Sequence, residues 1–164
     1  MSITPTGPYS IPLAKLREHI AASATFQARL GVTTAAAALH KIIGSPREGD
    51  DLDDLRPFAC VSFGDDWDYQ TNGGGARNEF AHTGSLTLYV TDRGRREDAH
   101  EDELDWGNFC GGLIEDLAAI AALSDNLVIS NIRQTQFGRS DVRKDAAKGF
   151  SIWDAAWTIS YGDE

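Results

Sequence analysis

Cysteine is scarce in this chain, with Cys60 and Cys110 the only two in 164 residues. They stand far apart and form no CxxC pair, which excludes a disulfide framework and suits free thiols in a reducing compartment. Both are expected to pack in the core. Long apolar runs are also missing. The richest stretch, residues 113–123, is broken by Glu115 and Asp116, well short of the ~18 apolar residues that suggest a membrane span, so no membrane partner is expected. The first residues hold Pro5, Gly7 and Pro8 in place of a basic region followed by an apolar one. No secretory signal is read there, and an intracellular protein is expected.

Positive charge is in short supply, because 15 Lys plus Arg face 25 Asp plus Glu and leave a net charge of -10. The strongest basic groups are Arg93, Arg95 and Arg96, then Arg139, Arg143 and Lys144. A tight DNA binder needs a cationic face to displace counterions from phosphates, and this balance disfavours that class. Catalytic signatures are lacking too. His19, His40, His82 and His100 show no zinc spacing, no GxSxG elbow is present, and neither cysteine has a histidine at a recognisable spacing. The run Gly73 to Gly75 is followed by no Gly-Lys-Ser or Gly-Lys-Thr, so it is not a phosphate-binding loop. Neither an enzymatic activity nor a cofactor is expected.

What the chain does have is core-forming material. Its composition is 41% hydrophobic, with four Trp, seven Phe and four Tyr. A chain near ~150 residues buries roughly 70% of the surface its unfolded form exposes, so no metal or disulfide is needed to complete a core. One domain spanning residues 1–164 is expected, with 1–12 as an extended N-terminal segment.

Residues 11–22 place Leu13, Leu16 and Ile20 on one face and predict an amphipathic helix. A second helix is predicted after Gly31, capped by Thr33 or Thr34, running through Ala35 to Ala38 and closed by Leu39, Ile42 and Ile43 before Gly44. Residues 45–56, with Asp50, Asp51, Asp53 and Asp54, read as a solvated acidic loop that can meet a basic surface. Residues 58–63 and 84–91 read as paired strands, and 98–123 as the strongest helix, its first turns rich in Asp and Glu. Residues 127–137 and 150–161 read as closing strands, the latter alternating Trp153, Ala155, Trp157, Ile159 and Tyr161. Two long excursions are expected, at 64–78 and 138–149. The fold class is α+β: a mostly antiparallel four-stranded sheet with helices on one face, in the order helix, helix, strand, strand, helix, strand, strand.

Within the first excursion, Asp68, Gln70, Asn72, Gly73 and Glu79 fall at positions one, three, five, six and twelve of an EF-hand loop. Calcium takes six to eight oxygens, and Gly at six allows the sharp turn. Gln at position three, Gly75 at position eight and a strand-like lead-in speak against the match. A calcium-binding or hydrolytic domain using Asp68, Asn72 and Glu79 is the alternative of a different class. Trp67 and Tyr69, between acidic residues and a triple glycine, are candidate anchors for a neighbouring subunit, as are the cations Arg77, Arg139, Arg143 and Lys144.

The helix reading Leu16 to Ala28, with Ser23, Phe26 and Gln27, is followed by Arg56-Pro57-Phe58-Ala59, a later long helix and a Trp-rich final strand. That combination resembles the tail terminator proteins of tailed bacteriophages, the minor tail protein U-like family. The resemblance covers most of the chain. It implies a non-enzymatic α+β subunit of a ring, usually a hexamer, that caps the tail tube, ends its polymerisation and presents a surface for head attachment. It also implies a virion protein of the tail or neck, assembled in the host cytoplasm. Its partners would be further copies of itself, the tail tube protein and a connector or stopper, with DNA passing the lumen without specific binding. A lumen that DNA traverses should not grip phosphates, and the net charge of -10 agrees. Another head-tail connector, a stopper or completion protein, is the alternative within the class. The two excursions depart from the family pattern.

Overall fold

The computed structural model describes residues 3–46, 52–71, 80–124, 127–140 and 151–163. The chain begins with three helices: α1 (Gly7–Ala22), α2 (Ala24–Leu30) and α3 (Ala35–Leu39). Helix α1 starts at Gly7, within the stretch the sequence reading leaves extended, and Pro8 is compatible with its first turn because the N–H it lacks has no partner there. Thr6 and Ser10 close that turn, with the Thr6 N–H reaching Ser10 Oγ at 2.8 Å and the hydroxyl donating to Thr6 O at 2.7 Å. Ser23 separates α1 from α2, and its Oγ accepts from the Phe26 N–H at 3.1 Å. Gly31 ends α2 at φ 70°, the left-handed conformation that glycine adopts without strain.

Thr34 caps α3, one of the two residues the sequence predicts for that role. The helix stops at Leu39, however, and Ile42 and Ile43 form a two-residue strand, β1 (Ile42–Ile43). A pair of β-branched residues favours extended backbone, and β1 is too short to show an alternating pattern. A short 3-10 turn, Asp53–Leu55, precedes the long strands β2 (Phe58–Thr71) and β3 (Phe80–Arg93).

The sheet has five strands in the order β1-β2-β3-β5-β4, where β4 is Leu127–Ser140 and β5 is Ile152–Asp163. This corrects the four-stranded expectation: β1 pairs parallel to β2 through Ile42 with Ala59 and Ile43 with Cys60, while the other pairings are antiparallel. The expected pairing of 58–63 with 84–91 is present, from Phe58 opposite Thr91 to Phe63 opposite Leu86. The loop predicted from residue 64 onward is replaced, as far as Thr71, by continued strand. Its glycine and aspartates sit in a bulge, since three residues between Phe63 and Trp67 face the single residue between Leu86 and Gly84. Gly64 is required there, because a Cβ at that position would come within 2.2 Å of Ser85 Oγ. Gly138 to Ser140, assigned to the second excursion by the sequence reading, likewise belong to β4.

Helix α4 (Ala99–Ala118) is capped by Asp98, which accepts from the His100 and Glu101 N–H groups at 3.0 Å. It ends five residues before the predicted Leu123, where the Leu123 N–H pairs with Leu127 O at 2.7 Å and turns the chain into β4. The helices lie over one sheet face, formed by Ala59, Val61, Leu86, Leu88, Val90, Ala155, Trp157, Ile159 and Tyr161. Leu16, Ile20, Phe26, Trp106, Phe109, Leu113 and Leu117 pack onto it from the helices. Trp153 and Trp157 are buried in this core, as their alternation predicts. The opposite face carries half-buried Thr87, Tyr89, Thr158 and Ser160.

Candidate functional site

Two constellations stand out. The first is a buried charge cluster joining α2, the end of β3 and the start of α4. Arg29 of α2, 7% exposed, donates to Asp92 at 2.6 Å and to Asp105 at 2.5 Å, and its guanidinium lies 5.7 Å and 5.1 Å from the ring centres of Trp106 and Phe109. Arg95 donates to Asp92 at 2.8 Å and, through Nη2, to the Arg29 carbonyl at 2.7 Å. Asp102 accepts from Trp153 Nε1 at 2.7 Å and from the Arg95 and Arg96 backbone N–H groups at 2.7 and 3.0 Å. Burial alone would raise the Asp102 pKa, but these three donors, with Arg29 nearby, hold it below the usual carboxylate range. A buried cation neutralised by carboxylates fixes where α2 and α4 sit on the sheet. It is a structural clip between the helices and the sheet.

The second constellation is at the β4 edge. Strand β4 is the last in the sheet order and, among the described residues, pairs only with β5. Residues 133–137 are all exposed, Phe137 by 53%. Two bulges, between Ile129 and Asn131 and between Gln134 and Gln136, break the ladder with β5. Between helix α4 and strands β4 and β5 lies a cavity of about 310 Å³ lined by Gly107, Cys110, Gly111, Ile114, Gln134, Phe137 and Trp157. Gly107 and Gly111 form an open wall, with no atom within 4 Å of a Cβ built on either. Cys110 lies at its base, 3% exposed, and burial pushes its thiol up to about 12, so it is a packing residue and not a nucleophile. Chemically the groove offers apolar surface and an unsatisfied strand edge, which is what a protein segment needs and a small polar substrate does not.

No protein family matches the chain, and no curated protein does. Among solved structures, the chain is similar to one from the virion of a native gene transfer agent particle. The two share 12% identity over 94% of this chain and 99% of the other, with a TM-score of 0.46.

The residues singled out from sequence fall into two groups. Trp67, Asp68 and Tyr69 are backbone members of β2, opposite Gly84, Thr83 and His82. The first four positions of the EF-hand spacing, 68–71, are therefore ladder residues, and Asn72 and Glu79 lie outside the described residues, as do Arg77, Arg143, Lys144, Asp50 and Asp51. Among the described residues no group of three His, Cys, Asp or Glu is placed to hold a metal, and no helix is long and apolar enough to cross a membrane. Arg139 is exposed on β4, where its Nη1 donates to Ser151 Oγ at 3.4 Å. Among the described residues, Arg139 is the candidate that lies on the groove's strand. The sequence reading missed the Arg29 cluster and the groove. The groove had one visible signal: Gly107 and Gly111, four apart, put two residues without side chains on one helix face.

Proposed function

We propose that this chain is a virion assembly protein, a tail terminator whose copies form a ring, usually of six, on the end of a tail tube. The observation that carries this reading is the pair of unlike open edges on one sheet. At one side β1 accompanies β2 only at Ala59 and Cys60, and no other strand of the described sheet lies beyond; at the other side stands β4. Two different edges on one body are suited to a head-to-tail contact, the kind that closes into a ring when the rotation between copies allows. The family resemblance of the segment at 16–28, which the structure divides between α1 and α2 at Ser23, of Arg56-Pro57-Phe58-Ala59 and of the Trp-rich last strand supports the same reading.

In this role the ring stops tube polymerisation and offers its other face to a connector or stopper, while DNA passes through the lumen. The net charge of -10 suits such a lumen, because it gives phosphates nothing to hold. The role needs neither a catalytic step nor a cofactor, and it places the protein in the neck of a particle assembled in the host cytoplasm. The test is light scattering after size exclusion, electron microscopy of the same peak, and a tube-elongation assay. Closed rings that halt elongation are expected. A monomer that leaves tubes free to elongate overturns the proposal.

A further inference from the structure

Strand direction decides what a second copy meets at β4. β2, β3, β5 and β4 alternate in direction, so β2 and β4 of one subunit run opposite ways. A copy set beside the first in the same orientation brings its β2 alongside β4 antiparallel, with the helices of both copies on one side of a continuous sheet. Phe63 is paired with Leu86 and so stands on the helix-covered face, yet it is 50% exposed. In a joined sheet that face continues into the α4 groove, where Phe137 stands opposite Ala155 on the same side. The charges match as well. With Phe63 beside Phe137, antiparallel pairing sets the exposed Asp66, three residues on, near the exposed Arg133, four residues back.

We infer that the β4 edge and the groove beside it receive the β2 edge of a second copy of this chain, with Phe63 entering the space walled by Gly107, Gly111 and Ile114. This deepens the ring reading by naming its contact surfaces, and it rests on that reading only for closure. A symmetric β4-to-β4 contact is disfavoured, because β4 carries the exposed Arg133 and Arg139 and no Asp or Glu, so its pairing with itself joins like charges only. The bulges at Ser130 and Thr135 keep any new ladder short, so the contact draws its selectivity from the aromatic ring and the charges rather than from a long run of backbone pairs. Short ladders also guard the edge against indefinite strand addition.

The test uses two exposed-site variants of the full chain, Asp66→Cys and Arg133→Cys, purified apart and mixed with a short bifunctional maleimide. Cys60 and Cys110 are buried and leave the new thiols as the reactive ones. A cross-linked dimer that forms only in the mixture is expected. In parallel, Asp66→Lys is expected to lose the oligomer peak, and adding Arg133→Glu to the same chain to restore it, with unchanged circular dichroism throughout. Oligomers that give no mixed cross-link overturn the inference and leave the ring reading standing. A cross-link with Arg133→Cys alone overturns it in favour of the symmetric contact. Mixed cross-links in open filaments support it and remove the closed ring. A protein monomeric at every concentration overturns it, and the ring reading then stands or falls on the tube assay.

Discussion

Trp153 on β5 donates its indole N–H to the carboxylate of Asp102, in the first turn of α4, across 2.7 Å. Both are buried, at 5% and 6% exposure. The bond ties the helix start to the sheet and leaves no spare donor or acceptor between them. Asp102→Ala strands three donors, and hydrogen bonds to a charged group contribute about 1.5–3 kcal/mol each when only one partner is lost. The Arg95 and Arg96 N–H groups are only part-buried and can turn to water, so the Trp153 bond sets the scale and a loss of roughly 3 kcal/mol in urea unfolding is expected, with Asp102→Asn losing less because it keeps an acceptor oxygen.

Acid should weaken the fold through two carboxylates. The Ser23 hydroxyl, donating at 2.6 Å, holds Asp116 below the usual range with help from the Thr25 N–H at 3.2 Å, while burial opposes them. Asp102 is lowered by the donors described above, against its burial. A folded-state pKa below the unfolded one means the unfolded chain binds more protons in between, so stability rises with pH there. Full stability is therefore expected above the ordinary carboxylate value of 3.8, with loss as pH falls through the folded values. Thermal melts across that range check this. Asp116→Asn should flatten the dependence.

Neighbouring glycines of α4 should respond unequally. A Cβ at Gly111 meets nothing within 4 Å, whereas at Gly112 it comes 3.0 Å from Thr25 Cγ2 and Oγ1. Replacing a helical glycine by alanine gains about 1 kcal/mol where space allows. Gly111→Ala should raise the melting temperature, and Gly112→Ala should gain less or lower it as Thr25 is forced to move.

Trp157 joins the core to the groove, 4% exposed and opposite Leu88 on one side and Gln134 on the other. Trp157→Ala should cost about 3–5 kcal/mol and unfold the subunit. A variant that keeps its melting temperature but loses assembly would show that the ring belongs to the interface and not the core.

The legibility of the sequence follows from where its signals are local. Period-two alternation in residues 84–91 and 150–161 and three- to four-residue spacing from Trp106 to Leu117 mark one buried face each, so those elements and the core Trp residues are readable directly. Ile42 and Ile43 are not, because a two-residue strand has no period and exists only through its pairing with β2. Residues 64–71 mislead for a different reason. Gly64, Asp65 and Asp66 carry turn composition, but the bulge opposite Ser85 absorbs them and the strand resumes. The Arg29 cluster joins residues 63 and 76 positions apart, a relation that no window on the sequence contains. The groove is only half visible, since the Gly107 and Gly111 spacing shows a bare helix face while its other wall, Gln134, Phe137 and Trp157, comes from strands distant in sequence.

Arg29 also decides how the molecule opens. Because one side chain is shared by α2, the end of β3 and the start of α4, none of the three can detach without stranding a buried charge. These segments should thus unfold as one cooperative unit, their amide hydrogens exchanging only through global opening. β4 lies outside that unit, tied to β5 by a ladder that two bulges interrupt. It forms the labile margin of an otherwise rigid body, the part whose amides exchange first in an isolated subunit and gain most protection once a neighbour is in place.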